Sequence, residues 1–281
     1  MRVLRAIALV MGCAVLAMPA RAQSQAPPSI PGELGSDFRY TANNAEADAE
    51  DIITSPLHIA DMFEPGGVMT QPTAYYTLIG VGATLGGAFA LDSTVHAHLR
   101  QMSSSDANDL EIAGDVFTYG TAGLLYLNGL WSGDQRLREY EITGGEGATL
   151  GSLVTLAFEY AFGRERPKTG RGVGAFFHGG QSFTSGEATP VFAVAAATSE
   201  YYNNAWYVAL PAYAGAMAVG FGRMGHDAHW LSDIVGAAVV GAGSTELLLY
   251  LHRKHSENPL RFKIFPIASG STAGGGITFQ W

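Results

Sequence analysis

The sequence predicts a mostly α protein, a six-helix bundle followed by a short C-terminal β-hairpin. Three observations carry this prediction. Hydrophobic side chains make up 47% of the 281 residues and charged ones 15%, enough apolar material for a sizeable core and far from the composition of a disordered chain. The 36 glycines stand well above an average usage of about 7% and suit helices that pack closely. From residue 73 onward, uncharged blocks of helical length alternate with short polar breaks, without an internal repeat.

The elements follow in chain order. Arg2 and Arg5, the apolar run Ala6 to Met18 and Ala20-Arg21-Ala22 read as a cleaved export signal over residues 1–22. The single cysteine, Cys13, lies inside that run, and Val10-Met11-Gly12-Cys13 matches a lipoprotein site poorly. The mature chain is therefore expected to lack cysteine, which excludes disulfides, zinc thiolates and thiol catalysis. Residues 23–72 read as a lead-in, Pro/Ser/Gln-rich and extended over 23–31, then acidic from Glu46 to Asp51. A helical domain over 73–256 is expected to hold helices near 73–91, 110–131, 146–165, 187–201, 205–221 and 228–254. Pro167 to Ser182 is Gly-rich and reads as a loop. Residues 257–281 read as the hairpin: Phe262/Ile264 and Ile277/Phe279/Trp281 alternate on either side of Ser269 to Gly276.

Charge and hydropathy narrow the partners. With 16 Lys+Arg against 25 Asp+Glu, nucleic acid is not an expected partner. Three uncharged windows, 65–91, 116–133 and 201–222, approach the ~20 residues of a membrane span. They are rich in Gly, Ala, Thr, Tyr and Asn, and the other helices are interrupted by Glu159, Glu187, Asp233 and Glu246. The sequence therefore favours a periplasmic bundle, soluble or peripherally attached, over one spanning the envelope membrane. It sets no oligomeric state.

Polar groups interrupt the apolar helices at three places: Gly163-Arg164-Glu165-Arg166-Pro167, Ser182 to Ala188, and Gly222 to Asp233. Together they can build an anion pocket. Arg166 and Arg223 offer bidentate guanidinium forks. Ser185-Gly186 at a helix start presents backbone N–H groups at the positive end of a helix dipole. His229 and Asp233 stand at i and i+4, so the carboxylate can hold the imidazole in one tautomer. A histidine so oriented, beside two arginines, is equipped to attack phosphorus.

Arg166-Pro167, Ser185-Gly186 and Arg223-x5-His229-x3-Asp233 occur in this order and spacing, and here the sequence resembles the superfamily of type 2 phosphatidic acid phosphatases, class A acid phosphatases and vanadium haloperoxidases. The resemblance runs from about 73 to 254, and its most specific part is the third motif with Trp230 and Ile234-Val235-Gly236-Ala237. It implies a six-helix bundle of that type and a phosphorylated small-molecule or lipid substrate, with no cofactor and no metal. It also implies a two-step reaction: His229 attacks, Asp233 supports its charge, Arg166, Arg223 and the Ser185-Gly186 amides bind the phosphoryl oxygens, and water releases phosphate from a phosphohistidine.

The departures are acidic. The family's lysine position holds Glu159, the histidine of its Pro-Ser-Gly-His motif is Glu187, and the serine before its arginine is Gly222. Two readings follow. In one, a protonated Glu187 acts as general acid, which burial favours by raising its pKa, while Arg164 or Lys168 pairs with Glu159 and supplies lost positive charge. In the other, the chain is a catalytically impaired member that binds anions or lipid phosphate, or serves as a structural envelope protein. Glu159 with Glu187 is also a candidate pair for a divalent cation. Halide oxidation on vanadate is disfavoured, because the lysine and histidine that embrace vanadate are absent. Elsewhere, Arg136 to Glu141 reads as a solvated helix end, His226-Asp227 as a cap on the last helix, and His96 and His98 as surface residues on a polar connection. His178 reads as loop polarity, and Tyr160, Phe183 and Trp230 as packing.

Overall fold

The computed structural model describes residues 29–54, 71–257, 262–269 and 272–279; the expected signal peptide and its cysteine lie outside them. The protein is mostly helical. The described elements are α1 (Ile30–Thr54), α2 (Pro72–Leu99), α3 (Ser104–Ser132), α4 (Gln135–Phe162), a 3-10 turn (Pro167–Thr169), α5 (Ala188–Tyr201), α6 (Trp206–Gly225) and α7 (Leu231–Glu257). Strands β1 (Phe262–Ser269) and β2 (Thr272–Phe279) then pair antiparallel, Phe262 opposite Phe279 and Ser269 opposite Thr272. Gly274, Gly275 and Gly276, read as part of a turn from sequence, lie within β2.

Helix α5 is the core. Val191, Phe192, Ala193, Ala195, Ala196 and Ala197 are buried along it, and α4, α6 and α7 pack around it. Burying a side chain the size of Val191 or Phe192 contributes about 1.5–3 kcal/mol, and the alanines between them let the neighbouring backbones approach. At the closest crossing a Cβ added to Gly241 of α7 would stand 2.2 Å from the Thr189 carbonyl oxygen of α5, so only glycine fits. The sequence places the start of α4 near 146. The helix instead starts at Gln135, capped by the Asp134 carboxylate, which accepts from the Leu137 N–H at 3.0 Å. Gly144 and Gly147 lie inside it, facing α5 and α7.

Helix α1 was not anticipated, so the described residues hold seven α-helices rather than six. Few apolar contacts hold it. Its Asp37 accepts from Arg138 Nε at 3.0 Å and from the Tyr126 hydroxyl at 2.8 Å, while Glu33 pairs with the same guanidinium. Asp48 meets His252 Nε2 at 2.7 Å.

The stretch Arg136 to Glu141 is therefore no solvated end: Arg138 is fully buried and Glu141 nearly so. Burial pushes the Glu141 carboxyl up to about 8, against a hydrogen bond from the Thr198 hydroxyl. A carboxyl raised in this way stabilises the fold below its unfolded pKa of about 4.3, and that contribution is lost as pH rises toward 8. Glu141→Gln is accordingly expected to raise Tm at pH 8 and to leave it nearly unchanged at pH 5, as thermal unfolding followed by circular dichroism would show.

Among the described residues two helices, Pro72–Leu99 and Leu231–Ser256, are long and apolar enough to cross a membrane. The first is largely exposed and the second is half buried in the bundle.

Candidate active site

Three chain reversals bring the polar segments together. Helix α4 ends at Gly163, whose φ of +50° suits glycine and whose position leaves room for the Gly179 backbone. This turn sends Arg164 inward. The loop 170–187 then returns the chain to the start of α5, and Phe183 anchors it, its ring 5.5 Å from Phe162 and 6.0 Å from Phe89. The third segment runs from the end of α6 to the first turn of α7, where Trp230 Nε1 donates to the Glu165 carbonyl at 3.0 Å.

His229 is fully buried. Its Nδ1 lies 2.9 Å from the Ser182 carbonyl oxygen and 3.6 Å from Asp233 Oδ2. A carbonyl accepts only, so Nδ1 carries a hydrogen, and whenever the ring is neutral its lone pair is at Nε2. The direct orienting partner is thus a backbone carbonyl, and not the i+4 carboxylate expected from sequence. Nε2 is buried and makes no hydrogen bond; Glu187 Oε2 stands 3.4 Å away. Burial resists charge on the ring, but Asp233 and Glu187 together carry its pKa above the usual histidine value.

Asp233 belongs to a network beneath the ring. Its Oδ2 accepts from Ser182 Oγ at 2.5 Å and from the Trp230 N–H at 2.8 Å, and its Oδ1 from Arg164 Nη1 at 2.5 Å. Arg164 also donates to Asp92 Oδ2 of α2 at 2.7 Å and to the Val173 carbonyl at 2.9 Å. Both oxygens of Asp92 accept from Ser232. The Arg164 guanidinium lies 4.9 Å from the ring centroids of Phe89 and Phe176. Arg164 is therefore a buried support for Asp233 and not the partner of Glu159 that the sequence suggested.

The other predicted residues separate into those the fold brings to His229 and those it does not. Arg223 places Nη2 2.7 Å from Glu187 Oε1 and Nη1 3.4 Å from Glu111 Oε1, and its Nε is buried without a partner. Arg166 is half-buried and donates through Nε and Nη2 to the Gln181 carbonyl at 3.2 and 3.1 Å. Glu159, on α4, shares an electrostatic neighbourhood with His229, Arg166 and Glu187; burial raises its pKa while the two cationic groups lower it. Its Oε1 lies 4.0 Å from where a Gly186 Cβ would stand. Lys168 is exposed on the 3-10 turn, with its backbone N–H on the Asp227 carbonyl.

The Ser185 amide, assigned to phosphate from sequence, instead donates to the Asp233 carbonyl at 3.3 Å, and the Ser185 hydroxyl caps α5 by accepting from the Ala188 N–H. Gly186 adjoins this cap, directly ahead of α5.

Glu187 is the largest departure from expectation. Its carboxylate is 44% exposed and bridges Arg223 and His229. The imidazole beside it, with Arg223, holds its pKa at about 2 against the effect of burial. The general-acid reading needed a raised pKa; in this arrangement the carboxyl is ionised.

Sequence reasoning also missed Asp92 and Glu111. Asp92 is the acid that interrupts an uncharged α2 run, which was the available signal; Glu111 carried none. His96, read as a surface residue, lies on α2 and bonds Asp227 at 2.9 Å. The pair His226-Asp227 is thereby divided, since His226 faces Glu111 at 3.9 Å.

No curated protein and no solved structure matches the chain. The family model of the PAP2 superfamily matches residues 145–257, a span holding α5, α6, most of α4, all of α7, and every residue of the three converging segments. Over residues 145–257, the chain is similar to the PAP2 superfamily.

Proposed function

We propose that the protein is an exported phosphatase that cleaves a phosphomonoester or a lipid (pyro)phosphate through a phosphohistidine at His229. The match to the PAP2 superfamily model over residues 145–257 supports a phosphoesterase acting on a phosphorylated substrate. The observation that carries the finer reading is His229 itself: a buried imidazole whose Nδ1 is fixed on a carbonyl and whose Nε2 makes no hydrogen bond, with the Arg223 guanidinium one carboxylate away.

In the first step the Nε2 lone pair forms the N–P bond as the P–O bond to the leaving group breaks. Arg223 and Arg166, with the Gly186 amide, hold the phosphoryl oxygens, where charge-assisted donors are strongest. The leaving oxygen takes its proton from Glu187. In the second step Glu187 accepts a proton from water as the water oxygen attacks phosphorus, the N–P bond breaks and phosphate leaves. Asp233, held by Arg164, supports the positive charge on the ring throughout.

The scaffold for this chemistry is read as a six-helix bundle of the acid phosphatase type, α2 to α7, with α1 laid against it and the C-terminal hairpin appended. The periplasm is the proposed compartment, with attachment to the envelope membrane as the alternative that the exposed α2 favours.

The purified signal-cleaved chain is expected to release inorganic phosphate from at least one of an aryl phosphate, phosphatidic acid and an isoprenyl pyrophosphate between about pH 4 and 9, and the chain expressed in cells to fractionate with the periplasm without detergent. Phosphate release from none of them would overturn the phosphatase in favour of an impaired anion-binding member, for which the two acids Glu159 and Glu187 at the pocket are the supporting observation.

A further inference from the structure

One carboxylate of Glu187 addresses both groups that a phosphoryl group would need. Oε1 lies 2.7 Å from Arg223 Nη2 and Oε2 lies 3.4 Å from His229 Nε2. Two buried polar atoms in the same place, Arg223 Nε and His229 Nε2, have no hydrogen-bond partner. The carboxylate is itself an anion, and its two oxygens face a guanidinium and an imidazole.

We propose that Glu187 is a built-in competitor for the phosphate site, and that an incoming phosphoryl group, by taking Arg223 from it, causes it to accept the Nε2 proton of His229. The proposal rests on the reading of His229 as nucleophile and deepens it. With Glu187 on Arg223, the proton resides on the ring: Nδ1–H faces the Ser182 carbonyl and Nε2–H faces the carboxylate. When the substrate's oxygens occupy Arg223, the carboxylate loses the cation that keeps it ionised. The proton then moves from Nε2 to a Glu187 oxygen, and one transfer produces two things. It frees the Nε2 electron pair that attacks phosphorus, and it arms Glu187 with the proton that the leaving oxygen receives. This removes the contradiction between an ionised Glu187 and its role as acid.

The surroundings support exchange rather than a fixed pair. From α6, Arg223 faces the carboxylate, and from α3 Glu111 faces Arg223 and, more distantly, His226. From α4 Glu159, and from the loop Arg166, act on the same neighbourhood. From α7 Asp233 faces the ring, with Arg164 and Asp92 of α2 behind it. Glu111 gives Arg223 a second anionic neighbour, so its departure from Glu187 does not leave it unpaired. The Glu187 side chain is half-exposed.

The test does not require turnover. The full signal-cleaved chain, with ring-labelled histidine, is titrated by NMR as wild type, Glu187→Gln and Glu187→Ala, and each protein's affinity for inorganic phosphate is measured by calorimetry at pH 7.5. Both variants are expected to lower the His229 pKa by at least about one unit, a tenfold loss of proton affinity, and to bind phosphate about tenfold or more tightly. Glu159→Gln removes an equal charge nearby without freeing Arg223, and its effect on phosphate affinity is expected to be several-fold smaller. An unchanged His229 titration, or phosphate affinity unchanged or weakened in both Glu187 variants, would overturn the proposal. A chain that shows both shifts yet hydrolyses no ester would retain Glu187 as competitor and overturn the phosphatase; a working phosphatase that shows neither would do the reverse.

Discussion

Replacing Arg164 by alanine is expected to cost about 3–5 kcal/mol of stability and to lower Tm on the order of 10 °C. The reason is charge left behind. Arg164 is fully buried between Asp92 and Asp233, both of which are also fully buried. Removing the guanidinium would strand two carboxylates where neither can reach water, and the penalty for an uncompensated buried charge exceeds the net worth of the pair that held it. It would also free the Val173 carbonyl and remove the group packed against Phe89 and Phe176, loosening the loop that carries Ser182. Arg164→Lys retains a charge without the fork geometry and is expected to fall between alanine and wild type. Differential scanning calorimetry at pH 7 would check the series; a Tm within roughly 2 °C of wild type for Arg164→Ala would show that the network carries little of the fold.

His229→Ala is expected to reduce hydrolysis on the order of 10³-fold or more, with the helical content retained. Among the described residues no other stands in this position: the imidazole is fixed through Nδ1 and places Nε2 beside the Glu187–Arg223 pair. Arg223 and Arg166 remain in the variant, so binding of inorganic phosphate should weaken far less than turnover. Initial rates on an aryl phosphate, alongside calorimetric phosphate binding, separate the two effects. A variant retaining more than about a tenth of wild-type kcat, well short of the loss that follows removal of a nucleophile, would mean that the attacking group lies elsewhere.

The convergence of the site was legible because its residues interrupt apolar helices at segment ends, where a charged group has a reason to be. Arg166, Glu187, Arg223, His229 and Asp233 were all found in this way and the fold gathers them. What could not be read was how they partner. Which acceptor orients His229 depends on the backbone path of loop 170–187, and the Ser182 carbonyl leaves no mark in a sequence. Arg164 and Arg166 differ by two positions and have the same chemistry; the left-handed turn at Gly163 sends one inward as a support and leaves the other half-buried near the pocket. Asp92 and Glu111 come from helices remote in sequence.

Among the elements, α2 to α7 were found by their apolar runs, with ends displaced where glycine serves a close helix crossing, as in α4. Helix α1 was missed because polar bridges rather than an apolar stripe hold it. Asp37 on Arg138 and Asp48 on His252 link positions more than a hundred residues apart, and periodicity cannot report such pairs.

The central claim is that phosphate passes through His229. The direct measurement is to mix the purified chain spanning residues 23–281 with an aryl phosphate, quench under alkaline denaturing conditions that preserve phosphoramidates, and map the phosphoryl group by mass spectrometry. The account predicts a phosphoryl group on His229 that disappears when the quenched sample is acidified and is absent from His229→Ala. Turnover with phosphate on another residue, or on none under conditions in which the chemical step is synchronous with mixing, would contradict it.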